Sequence, residues 1–304
     1  MSLHYGKVFK IPRKIIGYIL RLLYPIVIKI WPLPSVLSIP DTMEELISKE
    51  ASIVRFGDSE FLYICDKLSL PYQKWNKKLA DKMKYILQLD DPKLIVGLPI
   101  GFESLETLTD QSANFWKTQI SYVYPRLQKI LKKGKIYGNA SITRIYNGLK
   151  DKTVSKDLFN KFRQIWEEKD LYIIEGEKSR MGVGNDLFHN AESIKRILAP
   201  SHNSFDVYDE ILEACESIPK NAIVLTSLGP CAKALTYDLY KKGYRVIDTG
   251  NLDIEYEWFK RSAQKKIKIP GKYTSEVAGG RIVEDIKDPA YLSQIIKHIK
   301  ISGE

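Results

Sequence analysis

The chain has 304 residues, 44% of them apolar and 28% charged, which excludes a disordered protein and allows one large or two small domains. Its three cysteines, Cys65, Cys215 and Cys231, form no CxxC pair, which argues against a disulfide framework or zinc knuckle and for a reducing cytoplasm. The net charge of +10 is concentrated: residues 1–40 hold Lys7, Lys10, Arg13, Lys14, Arg21 and Lys29 and no acid, so most of the chain is nearly balanced and nucleic-acid binding is not expected.

Residues 1–40 read as a basic, amphipathic helical extension. The segment Ile15 to Leu33 is almost long enough to span a bilayer, but Arg21, Lys29 and Pro25 interrupt it. Tyr24 and Trp31 beside these cations suit a helix lying in an anionic membrane interface, at the cytoplasmic face. The plainer alternative is a helix packed on the protein's own body or on a second subunit.

From residue 41 to 304 a single domain is expected. Strands are predicted at "SIVRFG" (52–57), "KLIVGLP" (93–99), "LYIIEG" (171–176), "AIVLTSLG" (222–229) and "YRVIDTG" (244–250), with another near "GKIYGNAS" (134–141). Helices are predicted between them: at "DTMEELISKE" with Asp41 as N-cap, at "NKKLADKMKYILQL", and over 111–132, 155–169, 186–198 and 205–217. "PCAKALTYDLYKKG" (230–243) has proline in its first turn and a terminal glycine. This alternation predicts an α/β, Rossmann-like, mostly parallel doubly wound sheet.

Ligands of such sheets bind outside the strands' carboxyl ends. There the sequence places Arg55, Gly57, Asp58 and Glu60; Ser141 and Arg144; Glu177 and Arg180; Gly229 and Pro230; and Asp248, Asn251, Asp253, Glu255 and Glu257. Arginines and free N–H groups at glycine turns suit phosphates, and carboxylates suit Mg²⁺ or Mn²⁺. Each piece also has a plain reading. "DSE" suits a helix N-terminus, and "DIEYE" suits a polar strand face, which would put Asp253, Glu255 and Glu257 on one side.

The strings "RFGDSE", "SITR", "IIEGEKSRMGVGNDLF", "LTSLGPCAKALTYDL" and "GYRVIDTGNLDIEYEW" together resemble the GT-D glycosyltransferases. That resemblance implies a metal-dependent enzyme, with Mn²⁺ or Mg²⁺, that moves a hexose such as glucose from a UDP-sugar donor. The implied acceptor is a glycan or lipid-linked oligosaccharide of bacterial surface-polysaccharide or glycoprotein assembly. A homo-oligomer is compatible with it. By position, Asp253 and Glu255 correspond to the metal-binding D-x-E, Glu257 and Asp253 to catalytic carboxylates, and Asp58 and Glu60 to the nucleotide-sugar site. Two positions depart from the family's pattern: Ser59 stands for the second glycine of R-F-G-D-G-E, and Asn251 for a histidine. Asparagine does not titrate, so an impaired relative acting as a binding or scaffold protein is one alternative reading. An NAD-binding oxidoreductase is another, disfavoured by the missing glycine fingerprint.

Overall fold

The computed structural model describes residues 13–301. Lys7 and Lys10, counted above in the basic extension, lie outside the described residues.

Among the described residues nine strands form one sheet in which every strand pairing is parallel. They are β1 (Ser35–Val36), β2 (Ser52–Arg55), β3 (Leu94–Leu98), β4 (Ile136–Asn139), β5 (Asp170–Gly176), β6 (Ser193–Ala199), β7 (Ile223–Ser227), β8 (Arg245–Asp248) and β9 (Ile295–His298). The order across the sheet is β1-β4-β3-β2-β8-β7-β5-β6-β9. The central runs are buried throughout because both faces are covered, as parallel sheets require.

Successive residues feed opposite cores. Ile53, Ile95, Ile173 and Ile247 pack on one face, with helices α2 (Ile39–Ser48), α6 (Ser155–Trp166) and α9 (Leu252–Lys260). Val54, Val96, Val224 and Val246 point to the other face. That face is covered by α3 (Asp58–Asp66), α4 (Lys77–Gln88), α5 (Asp110–Leu127), α7 (Tyr208–Ala214) and α8 (Pro230–Lys241). Helix α1 (Arg13–Ile30) lies outside α5, and α10 (Pro289–Gln294) precedes the edge strand β9.

Three expectations need correction. The cap of α2 is Ser38, whose hydroxyl accepts from the Asp41 N–H at 3.1 Å, so Asp41 sits inside the first turn. Within 186–198, where a helix is predicted, the chain forms strand β6 instead. Ile194, Ile197 and Leu198 mimic helical spacing, while the buried Arg196 breaks the strand's apolar run by pairing with buried Glu175. Finally, "LDIEYEWFK" is helix α9, not a strand extension. On a helix, side chains two residues apart point to different sides, whereas i and i+4 share one.

Candidate functional site

The strand order places the carboxyl ends of β2 and β8 side by side, and Arg55 fastens them. Its backbone N–H donates to Asp248 Oδ2 at 3.0 Å and its Nη1 to the Ala140 carbonyl at 3.0 Å; Nε reaches the Asp248 carbonyl. The chain passes this guanidinium at Gly250, where φ is +49° and a Cβ would stand 2.1 Å from Nη2. Gly250→Ala therefore combines left-handed strain with displacement of a buried ion-paired side chain. A loss of about 2 kcal/mol or more in urea unfolding is expected.

Asp248 is fully enclosed, with Lys233 Nζ of α8 at 2.9 Å from Oδ2 and Arg55 Nη2 at 3.4 Å from Oδ1. Burial alone would raise its pKa, but the two cations outweigh it and hold the carboxyl below its usual range. Glu60 closes the start of α3, accepting from the Gly57 N–H at 2.9 Å. Asp58 is the exception among these acids: its Oδ2 is enclosed yet has no hydrogen-bond partner. Burial first, and then the nearby Glu60 charge, push its pKa up to about 6.

Helix α9 sorts its three acids onto two sides. Asp253 and Glu257 share one. Asp253 Oδ1 accepts from the Gly182 N–H at 2.9 Å and Asn185 Nδ2 at 2.7 Å, and Lys272 Nζ lies 2.7 Å from Oδ2. Lys272 also lies 3.1 Å from Glu257 Oε1, while Arg261 is 3.1 Å from Oε2. Burial opposes ionisation of Glu257, but Asn185 and Lys272 outweigh it and keep its pKa low. A recess of about 600 Å³ opens beside Glu257, lined also by Asn185, Lys260 and Arg261.

Glu255 faces the other way. Its Oε2 accepts from the Tyr146 and Asn147 N–H groups at 3.1 and 3.0 Å, and Oε1 lies 3.7 Å from Arg144 Nη1. Burial raises its pKa despite Arg144. Arg144 also pairs with Glu276, to which Asn251 Nδ2 donates at 3.0 Å. Arg144 and Glu276 are electrostatic neighbours of both Asp58 and Glu255.

Lys272 and Glu276 come from residues 261–288, which form neither helix nor strand. This strap is fastened by Arg180, whose Nη1 and Nη2 donate to the carbonyls of Gly271 at 2.8 Å and Glu284 at 2.6 Å. Ser141 Oγ, just past the carboxyl end of β4, accepts from the Ile100 N–H at 3.1 Å. Gly229, with φ +55°, lets the chain turn past the Tyr72 ring into Pro230 at the start of α8. Glu177 lies apart, 3.3 Å from His298.

The sequence reading missed Lys233, Lys272, Glu276 and Asn185. Lys233 had a signal, as a lone cation in the apolar first half of α8; Lys272 and Glu276 sit in a stretch with no period.

The all-oxygen donors suit a hard divalent cation, but Asp253 and Glu255 diverge from one helix and do not form a shared cage. Among the described residues no group of three or more candidate ligands converges. Asp58, with its unpartnered Oδ2, shares Arg144 and Glu276 as electrostatic neighbours with Glu255, and these two carboxylates are the better fit to a divalent cation.

A parallel sheet flanked by helices, with charged groups gathered at its carboxyl ends, defines a doubly wound α/β protein that binds its ligand at that edge. The "Glycosyltransferase GT-D fold" family matches residues 53–277, and the chain belongs to it. It is 40% identical over 266 residues to "Probable glycosyl transferase Gly" of Streptococcus gordonii, covering 87% of this chain and 39% of that protein. It is 38% identical over 262 residues to "Glycosyltransferase GlyD" of Streptococcus pneumoniae serotype 4, covering 86% of this chain and 32% of that protein. The chain thus spans well under half the length of either relative. A solved structure described as a new glycosyltransferase from Streptococcus sanguinis superposes with a TM-score of 0.83 at 40% identity, covering 88% of this chain and 100% of that one. Another, described as a domain with a distinct glycosyltransferase fold, gives 0.82 at 38% identity over 93% of this chain and 100% of its own.

Proposed function

We infer that this protein transfers a hexose, such as glucose, from a UDP-sugar to a glycan or lipid-linked oligosaccharide acceptor in bacterial surface-glycan assembly. The observation that carries this reading is the placement of Asp58, Arg144 and Glu255 together past the carboxyl ends of the sheet in a GT-D fold, with Glu257 on the other side of α9. Arg144 supplies a guanidinium for the donor's diphosphate, and the Gly229–Pro230 turn supplies a helix N-terminus. Asp58 and Glu255 would hold Mn²⁺ or Mg²⁺. When bound, that cation offsets the charge that develops on the departing UDP.

Of the two carboxylates on the Asn185 side, Glu257 borders the open recess while Asp253 lies behind it. Glu257 is therefore the group placed to accept a proton from an acceptor hydroxyl, and Lys272 and Asn185 keep it ionised for that task. Asp253 orients Lys272 and Asn185. Asn251 donates to Glu276 and helps latch the strap, a role that needs no titrating group.

The test offers UDP-glucose, UDP-galactose and UDP-N-acetyl sugars with Mn²⁺ while UDP release is followed. Glu257→Gln is expected to lower kcat by about a hundredfold or more, with little change in melting temperature. Failure of every donor to release UDP, together with no thermal shift from UDP and Mn²⁺, would sink the reading.

A further inference from the structure

Helix α1 has two apolar sides, and among the described residues only one of them is covered. Val27, Tyr24, Ile28 and Trp31 pack toward Ile120 and Val123 of α5, and Tyr124 Oη donates to the Pro32 carbonyl at 2.7 Å. This contact fixes the rotation of α1 about its axis. The opposite side carries Ile15, Tyr18, Ile19, Leu22, Ile26 and Ile30, each between 45% and 58% exposed. At ~100° per residue these six fall within about 120° of arc, a continuous stripe four turns long. Single exposed apolar residues are ordinary on a protein surface, but an unbroken stripe of this length is not.

The charges beside the stripe indicate its partner. Lys14 and Arg21 lie along one border of the stripe, Lys29 falls just inside that same edge near the C-terminal end, and α1 contains no acid. Two copies of such a helix packed face to face would bring these cations together with no acid of α1 to neutralise them. An anionic surface has the opposite sign and receives them favourably. No helix among the described residues is long and apolar enough to cross a membrane, so the stripe is suited to lie along one.

We propose that α1 is a lipid-docking element that lays the Ile15–Ile30 stripe into the headgroup boundary of an anionic bilayer, with Lys14, Arg21 and Lys29 against the lipid phosphates. The proposal is independent of the sugar-transfer reading. The contact on α5 makes docking orient the whole domain, because α1 cannot roll without leaving its seat.

The purified full chain would be floated with vesicles of phosphatidylcholine alone and of phosphatidylcholine mixed with phosphatidylglycerol. Binding to the anionic vesicles is expected to exceed binding to the neutral ones. Leu22→Glu with Ile26→Glu, and separately Lys14→Gln with Arg21→Gln and Lys29→Gln, are each expected to weaken it by roughly a hundredfold. Both variants should melt as the parent does, since every substituted side chain lies off the α5 contact. Absence of binding to either vesicle, or equal binding to both, would overturn the proposal. So would a parent that sediments as a dimer and becomes monomeric with Leu22→Glu and Ile26→Glu, since the face would then belong to a second copy.

Discussion

Asp58→Asn is expected to make the protein more stable at neutral pH and much less active. The carboxyl is pushed up to about 6 from an ordinary value near 3.8, chiefly by burial and then by Glu60, and its enclosed Oδ2 has no donor. A carboxylate whose folded pKa is raised binds its proton more tightly in the folded state. Its favourable contribution is therefore complete below pH 3.8 and is lost as pH rises through about 6. At pH 7 the charged Asp58 costs about 3 kcal/mol relative to a neutral isostere. Urea unfolding of parent and variant should coincide near pH 3.8 and separate by that amount above pH 6. UDP release should fall at least tenfold, because the amide is a poorer ligand for a divalent cation and carries no charge to meet one. In the parent, adding Mn²⁺ with UDP should narrow the stability gap at pH 7. A variant less stable than the parent at pH 7, or one with full activity, would show that Asp58 serves the fold and not a ligand.

Lys233→Met is expected to have the largest effect on stability, a loss of about 3–5 kcal/mol, because it removes one partner of a buried pair and leaves the other charged. Asp248 is fully enclosed, and Lys233 provides its shorter ion pair, 2.9 Å against 3.4 Å for Arg55. Asp248→Asn added to Lys233→Met should recover part of the loss, a non-additivity that two independent residues would not show. Urea midpoints for the parent, both single variants and the double variant give the coupling directly. A loss below about 1 kcal/mol, or strict additivity, would mean that Arg55 alone holds Asp248.

The sheet was legible because its central strands are continuous apolar runs ended by glycine or proline, and α4, α6 and α8 because caps and one-sided apolar spacing agreed. Strand β6 was hidden by Arg196, since a buried charge at a core position looks like a polar face until its partner Glu175 is known. The positions of Asp58, Glu255 and Glu257 could be read from their place after strands, but their division of labour could not. In "DIEYE" a period of two is visible in the letters, while the backbone has a period of 3.6. That difference separates Glu255 from Asp253 and joins Asp253 to Glu257. Ser59, the departure within "RFGDSEF", falls in the first turn of α3, where a helical backbone accepts serine without positive φ. Nothing local in the sequence pointed to Lys272 or Glu276, because their partners lie in distant segments and their own segment has no repeat.

The strap over 261–288 gives the site a different kind of durability from the sheet beneath it. Its hold comes from Arg180, from Lys272 and Glu276, from the Tyr273 N–H on the Lys178 carbonyl at 2.9 Å, and from a small apolar anchor that includes Ile269, with no strand ladder along its length. Segments of this kind open on their own, at a fraction of the free energy needed to unfold the domain. Amide exchange in the strap should therefore be decoupled from that of β2, β7 and β8. The cluster around Glu257 could come apart and reform many times within the lifetime of one folded molecule. On that expectation the lifetime of the closed strap, and not that of the fold, sets how long Lys272 stays paired with Asp253 and Glu257.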